Sequence, residues 1–219
     1  MPIVFIQDLY KKYSQLAFTH HSDRSIGITG IETRLAKAFV NAQYGVVHDP
    51  KETTYLPRCL LWCRAGYKDT LQQITYPKGR SVPSWSWMSV IGPIRYLNVP
   101  YADVQWYADL IFMFDSPQTY RQQAAINRQS QCLHGNARHF DVQSDDQIIL
   151  DTSNDVADFM DLKCLALGEK FVSNKPLVKH YGLLIIEVGH NGFYRRVGVA
   201  SFKRNQNWHL QGKIPVTII

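Results

Sequence analysis

The sequence predicts an α+β fold in which a helical N-terminal third packs on a β-rich C-terminal two-thirds, formed by a mostly antiparallel sheet or a barrel. Two observations support this prediction. Apolar residues recur with a helical period of 3.6 in residues 1–64 and with a strand period of 2 in residues 84–219. Asn191-Gly192 adds a hairpin signal. We expect one unit over residues 1–219.

The helical part contains two predicted helices and a shorter helical segment. Apolar side chains of residues 3–17 follow the i, i+3, i+4 pattern, which predicts the first helix. Ser22 or Asp23 can cap a second helix, which is predicted to run to about Phe39. The segment 58–64 (RCLLWCR) is predicted to form one or two helical turns.

The β-rich part begins at an alternation of serine and tryptophan. Ser84-Trp85-Ser86-Trp87 predicts a strand with both indole rings on one side. Residues 115–131 are polar and rich in Gln, and we expect an inserted surface loop there. Later strands are predicted at 104–114, 147–150, 162–167, 182–188, 194–202 and 214–219.

The composition is that of an ordinary globular protein. Hydrophobic residues make up 45% and charged residues 19%, which excludes a disordered tail, a collagen-like chain and a coiled coil. Four cysteines in 219 residues are too few for a disulfide-stapled mini-protein. No apolar stretch of about 18 residues occurs, so no transmembrane segment is expected. The N-terminus lacks the basic region of a signal peptide. We therefore expect a cytoplasmic protein with reduced thiols.

The formal charge of +6 is unevenly distributed. Residues 141–161 contain seven Asp and no Lys or Arg, whereas five basic residues and no acid follow Glu187. A basic surface that binds nucleic acid or a membrane remains an alternative hypothesis. We favour solvated acidic and basic faces that attract each other within the fold, and we do not expect a nucleic-acid partner.

Motifs that carry chemistry are nearly absent. The sequence contains no GxGxxG, Walker-type Gly-Lys-Ser/Thr, HExxH or GxSxG, so we expect no cofactor. Cys59 and Cys63 would share one face of a helix. A structural zinc site needs four ligands, however, and nothing completes the set. We interpret both as buried thiols and expect no metal site.

Cys132, His134 and His139 form the one other Cys/His cluster. A Cys/His nucleophile pair would define a small hydrolase-like enzyme, which we keep as a second alternative. The cluster lies between a polar loop and a predicted strand, a setting that does not activate a thiol. Carboxylates of residues 141–161 are interpreted as solvated turn acids rather than an acid/base pair. No catalytic residue is predicted.

Trp85 and Trp87 have two interpretations. They could form a stacking platform for sugars or bases. They could instead anchor the core where helices meet the sheet, which would bury about 400 Å² of ring surface. We favour the core.

The segment 83–95, PSWSWMSVIGPIR, resembles a signature of fungal heterokaryon-incompatibility (HET-domain) proteins. The most specific positions are Pro83, Ser84, Trp85, Ser86, Trp87 and Gly92, together with Arg195, Arg196 and Gly198 downstream. Other segments resemble family elements in the same order: 13–31 (including Tyr13, Ser14 and Arg24), Leu60-Leu61-Trp62, Arg80, 161–167, 194–199 and Ile218-Ile219.

The resemblance implies a role rather than a reaction. In the family, this region follows a HET domain, which is related to TIR-type folds and is thought to be the toxic effector. Patterns of that domain, such as YvaLSYcWG, do not occur here. The chain would then be the non-catalytic C-terminal region of a HET-domain-like protein, encoded by a truncated or a standalone gene. It would have a structural or regulatory role in fungal non-self recognition and cell death. The expected partner is the missing upstream HET-type domain or another protein.

Overall fold

The computed structural model describes residues 2–39, 41–66, 70–107, 110–112, 132–171, 177–189, 191–210 and 212–219. The predicted loop at 115–131 lies outside the described residues. The helices are α1 (Pro2–Ser14), α2 (Arg24–Gly27), α3 (Thr29–Ala38) and α4 (Tyr55–Leu60). Short 3₁₀ turns cover His21–Asp23, Trp87–Ser89, Val156–Asp158 and Gln206–Leu210.

The strands that precede the long sheet are β1 (Asn41–Gln43), β2 (Val46–His48), β3 (Trp62–Arg64), β4 (Gln72–Gln73), β5 (Val90–Ile91) and β6 (Ile94–Tyr96). The strands of the long sheet are β7 (Val104–Trp106), β8 (Ile111–Phe112), β9 (Leu133–His139), β10 (Gln147–Leu150), β11 (Lys163–Lys170), β12 (Leu177–Glu187), β13 (Phe193–Asn205) and β14 (Ile214–Ile218).

The long sheet has the order β7-β11-β12-β13-β14-β9-β8, and β10 pairs with β13. Its pairings are antiparallel except the one between β13 and β14, which is parallel. β9 pairs with both β14 and β11, so β11, β12, β13, β14 and β9 close into a ring. Closure leaves these five strands without a free edge along the ring. The antiparallel pairing of β12 with β13 confirms the predicted hairpin.

Two cores lie on the two faces of the central strands, because side chains alternate along a strand. Leu183 and Val199 belong to the larger core, which also contains α1, α4 and the segment 85–90. Leu184 and Ala200, their neighbours in sequence, belong to the smaller core around Phe202. This two-sided burial explains why β12 and β13 read as continuous apolar runs.

The predicted division into a helical third and a β-rich remainder is wrong. The structure is a mixed α/β fold, and residues 1–64 contain strands between their helices. β1 and β2 form a hairpin around Tyr44 and Gly45, both of which have positive φ. The segment 58–64 leaves the helical conformation at Leu61 and continues as β3, which pairs with β6. Cross-strand pairing with a distant segment overrides the local helical pattern here.

The predicted strand at Ser84–Trp87 is also wrong. The segment forms a turn that leads into the 3₁₀ turn at Trp87–Ser89. Ser86 caps that turn, since its Oγ accepts a hydrogen bond of 3.1 Å from the N–H of Met88. Serine hydroxyls compete with ladder hydrogen bonds in this way, so an alternating pattern need not produce a strand. The second predicted helix is divided into α2 and α3, which meet at Ile28.

Candidate functional site

Trp85 and Trp87 are both fully buried, which confirms the core interpretation. The ring of Trp87 packs against Tyr10 and Tyr13, with ring centroids 5.5 and 6.0 Å away. The main-chain oxygen of Trp85 accepts a hydrogen bond of 2.8 Å from Trp62 Nε1. The ring of Trp87 thus contacts α1 and the main chain of Trp85 contacts β3, and the two buried indoles do not form a surface platform.

Ser84 joins the turn to the C-terminal strands. Its N–H donates a hydrogen bond of 2.9 Å to the main-chain oxygen of Ile219, and its hydroxyl donates to the same oxygen. The hydroxyl also accepts a hydrogen bond of 3.0 Å from the N–H of Arg196. One serine side chain thus fixes the start of β13 and the end of β14 against residue 84.

Arg196 is a buried cation held by three groups. Its guanidinium carbon lies 3.2 Å from the centre of the Trp62 ring, a cation–π stack. Nη2 donates to the main-chain oxygen of Trp62 and, over 3.1 Å, to Asp151 Oδ1. Burial lowers the pKa of Arg196 to about 10, and the negative charge of Asp151 opposes this. Burial also raises the pKa of Asp151, and the charge of Arg196 opposes that change.

Arg24 makes the corresponding contacts on the helical side. It is buried, and its two terminal nitrogens donate to the main-chain oxygens of Val90 and Ser14. Its guanidinium lies 5.6 Å from the Trp87 ring centre. Ser14 Oγ in turn accepts a hydrogen bond of 3.0 Å from the N–H of Ile94. The end of α1 is thereby tied to β5 and β6.

These contacts form two sets, one around Arg24 and one around Arg196, which the segment 83–95 joins, and together we call them the motif network. Each member belongs to a segment that carries the resemblance described above, although the members are far apart in the sequence. The motif network consists of Ser14, Arg24, Trp62, Ser84, Trp85, Trp87, Arg196 and Ile219.

The remaining motif residues lie around this network. Ser86 Oγ donates a hydrogen bond of 2.7 Å to the main-chain oxygen of Tyr44. Gly92 has a φ of 123°, a conformation that side chains other than glycine rarely adopt. A Cβ at Gly198 would lie 2.5 Å from the main-chain oxygen of Ile149, so glycine allows β10 to approach β13. Pro83 and Arg195 instead line an open groove.

This groove, which we call the Arg195 groove, has a volume of about 500 Å³. Arg195 supplies its basic group and is half-buried. Gln73, Ser81 and Ser84 add polar groups. Most of its walls are apolar or weakly polar and come from Val82, Pro83, Cys132, Val188, Phe193 and Ile219. The motif residues in its walls are Pro83, Ser84, Arg195 and Ile219.

The structure does not assemble Cys132, His134 and His139 into a catalytic set. Cys132 is buried in the groove wall, and burial raises the pKa of its thiol, which disfavours the thiolate. His134 Nδ1 lies 3.1 Å from Thr217 Oγ1. His139 Nδ1 lies 3.0 Å from a carboxylate oxygen of Asp161, with 66% of the histidine side chain exposed. The two histidines are five residues apart on β9 and therefore point to opposite faces.

Cys59 and Cys63 are buried free thiols, as predicted, but they do not share a helix face. Cys59 lies in α4 and Cys63 in β3. Burial raises their pKa values to about 12 and about 11. Among the described residues, no group of three His, Cys, Asp or Glu is arranged to hold a metal ion.

The acidic and basic segments attract each other within the fold, as expected from their charges. Arg204 forms a two-pronged ion pair with Asp146, with N–O distances of 2.9 and 2.8 Å. Arg196 pairs with Asp151, as described above. Such pairs reduce the basic surface that is available to a polyanion. None of the helices in the described ranges is long and apolar enough to cross a membrane.

A buried polar cluster was missed by the sequence analysis. Tyr107 donates a hydrogen bond of 2.7 Å to Glu169 Oε2, and His180 Nδ1 lies 3.6 Å from the same oxygen. His180 and Glu169 are both buried, and the ring of Phe202 stacks on His180 at 5.4 Å. Burial and the adjacent Glu169 raise the pKa of Tyr107 far above its usual value. The cluster joins Glu169 of β11 and His180 of β12 to Tyr107, the residue after β7. No pattern in the sequence indicated that these three residues meet.

Glu32 is a second polar group whose burial the sequence did not indicate. It lies in α3 and is 8% exposed, and its Oε1 accepts a hydrogen bond of 2.9 Å from the N–H of Gly45. Burial raises the pKa of Glu32 to about 7, although the hydrogen bond from Gly45 opposes this. A buried acid that titrates near neutrality is therefore part of the contact between α3 and the β1–β2 turn.

A comparison of the chain with models of known protein families, with curated protein sequences and with solved structures finds no match.

Proposed function

We propose that the chain is the non-catalytic C-terminal region of a HET-domain-like protein, with a structural or regulatory role exerted through a protein partner in fungal non-self recognition. The observation that carries the proposal is the motif network. The segments that resemble the HET-associated pattern meet in space and bond to one another.

The type of contact in the network supports a scaffold rather than a reaction centre. Arg24 and Arg196 are buried and donate mainly to main-chain oxygens of segments that are distant in sequence. Each hydrogen bond that a buried guanidinium makes offsets part of its desolvation cost. In Arg196 these bonds are made by Nη2, whereas Nε and Nη1 have no hydrogen-bond partner among the described residues. These residues therefore fix the relative positions of α1, β3 and β13, and their side chains are not free to act on a substrate.

An exposed apolar face on α1 is consistent with a protein partner. The inner face of α1 buries Ile3, Ile6 and Tyr10 in the core. On the outer face, Phe5 is 68% exposed and its neighbour Val4 is also exposed. A partner that covers Phe5 would remove this apolar surface from water, which favours association.

Association with a HET-type domain tests the proposal. The chain and HET-type domains encoded in the same genome would be purified separately, and binding would be measured by isothermal titration calorimetry and sedimentation. We expect one such domain to bind, and Phe5→Ser to weaken binding about tenfold or more, since hot-spot aromatics contribute on this scale. Lys12→Ala, an exposed substitution on the same helix, is the matched control. If no HET-type domain binds the wild-type chain, the proposal is refuted.

The two alternatives have less support. A hydrolase that uses Cys132 would need a thiolate near neutral pH, and burial of this thiol opposes its ionisation. A nucleic-acid binder would need free basic groups, and the pairing of Arg204 with Asp146 neutralises one of them. Turnover that is lost in Cys132→Ala, or binding that weakens steeply with salt, would favour these alternatives instead.

A further inference from the structure

The Arg195 groove has the size and composition of a small-molecule site. Ligand pockets commonly have volumes of about 300–1,000 Å³ and apolar walls with a few polar groups, and this groove has a volume of about 500 Å³. Val188, Phe193 and Ile219 in its walls are 39%, 37% and 40% exposed. Three large apolar side chains are thus partly exposed to solvent within one groove, and a bound ligand would cover them.

One basic group in the groove lacks a direct partner. β13 directs Phe193 and Arg195 to the same face, since they are two residues apart in a strand. The adjacent Arg196 takes the hydrogen bond to Asp151, and within the described part of the chain the side chain of Arg195 has neither a hydrogen bond nor an ion pair. Among the described residues, no side chain that lines the groove is acidic. Burial lowers the pKa of Arg195, and the negative charge of Asp151 opposes this change.

The walls are held in place before any ligand arrives. The N–H of Val188 donates a hydrogen bond of 2.8 Å to Phe193, and the N–H of Ile219 donates one of 2.9 Å to Tyr194. The hydroxyl of Ser84, which also lines the groove, donates a hydrogen bond to the main-chain oxygen of Ile219. A rigid groove loses little conformational entropy when it is filled, so apolar burial converts more completely into affinity.

From this arrangement we propose that the Arg195 groove binds an amphipathic carboxylate, a monocarboxylic acid with an unbranched apolar tail. The guanidinium of Arg195 presents paired N–H donors that match the two oxygens of a carboxylate. Phe193, Val188 and Ile219 would cover the tail. This ligand site shares no residue with the outer face of α1. A failure to bind the carboxylate would therefore not bear on the proposed HET-type partner, and a failure to bind that partner would not bear on this site.

Calorimetry with defined probes tests the assignment. Decanoate, 1-decanol and decyltrimethylammonium have unbranched tails of similar length and differ in the charge of the head group. The two ions would be titrated below their micellar concentrations and decanol below its solubility limit. We expect decanoate to bind with one-site saturation, decanol more weakly, and the cation not at all. Arg195→Gln should weaken decanoate binding about ten- to hundredfold and leave decanol binding unchanged, because only the charged hydrogen bonds are lost.

Matched variants separate this site from general electrostatics. Lys203→Gln removes an exposed charge from the same strand, outside the groove, and should leave decanoate affinity unchanged. Arg195→Lys keeps the charge and tests the same site if Arg195→Gln does not fold. It should bind decanoate more weakly than the wild type and more tightly than a variant without a charge at this position. Equal affinity for decanoate and decanol, absence of saturation, or an equal loss in Lys203→Gln would overturn the proposal.

Discussion

Glu32→Gln should change how the stability of the protein depends on pH. The wild-type carboxyl has a folded-state pKa of about 7, against an ordinary value of 4.5. Between these two values the folded state keeps a proton that the unfolded chain releases. The folded state therefore binds more protons in this window, and the free energy of unfolding falls as the pH rises from 4.5 to 7.

The size of this effect follows from the two pKa values. Each pH unit between them corresponds to about 1.36 kcal/mol, so ionisation of Glu32 costs the folded state about 3 kcal/mol in all. Glutamine keeps an oxygen that can accept the hydrogen bond from Gly45, which spans 2.9 Å in the wild type, and it carries no charge. We expect the variant to resemble the wild type below the window and to be more stable by about 3 kcal/mol above pH 8.

Urea unfolding followed by tryptophan fluorescence, repeated from about pH 4 to pH 8.5, measures the difference. Glu187→Gln is the matched control, since Glu187 Oε1 also accepts a main-chain hydrogen bond, from Gly192, but the residue is exposed. Its difference from the wild type should vary little with pH. If the Glu32→Gln difference is also independent of pH, the burial of this carboxyl does not control its ionisation and the reasoning is refuted.

Three further predictions concern Gly45, Arg196 and the thiols. Gly45→Ala should destabilise the protein by several kcal/mol, because a Cβ there would lie 2.0 Å from Trp87 Nε1. Gly79→Ala, also at positive φ but with no atom within 4 Å, should cost only about 1 kcal/mol in thermal and urea unfolding. Equal losses would contradict the packing argument. Arg196→Met should cost about 3–5 kcal/mol because Asp151 is left as a buried, unpaired charge, and adding Asp151→Asn should recover part of this loss. Full additivity would show that the two are not coupled. The thiols of the four cysteines are all buried and should react with a thiol reagent at pH 8 only after unfolding. Fast labelling of the native protein would contradict this burial.

Several strands of the long sheet could be predicted because their signals are local, although β9 was not predicted and the strand predicted at 104–114 ends at Trp106 as β7. The predicted strand at 147–150 is found with the same bounds, and those predicted at 162–167, 182–188 and 194–202 lie within or close to β11, β12 and β13. Their apolar, β-branched runs bounded by turn residues depend only on near neighbours.

The errors arise where a distant segment competes with the local pattern. Ser84–Trp87 has the alternation of a strand, yet Ser84 and Ser86 use their hydroxyls in turn and capping contacts. Cys63 follows a helical pattern, yet β3 is extended because it pairs with β6. The bond from Ser84 to Ile219 and the pairing of β3 with β6 join residues far apart in the sequence, whereas the cap from Ser86 to Met88 is local. A periodicity of apolar residues registers neither kind of contact.

The sequence by itself determined that Trp85 and Trp87 are buried, that the second half forms paired strands, and that the acidic and basic segments attract each other, since hydrophobicity and charge act wherever the chain places them. Only the tertiary structure decided that Arg196 stacks on Trp62, that Ser84 bonds to a residue 135 positions away, and that Arg195 is left facing a groove. The physical reason is that hydrogen bonds and ion pairs are short-ranged and directional, so their partners are fixed by the path of the backbone rather than by the order of the residues.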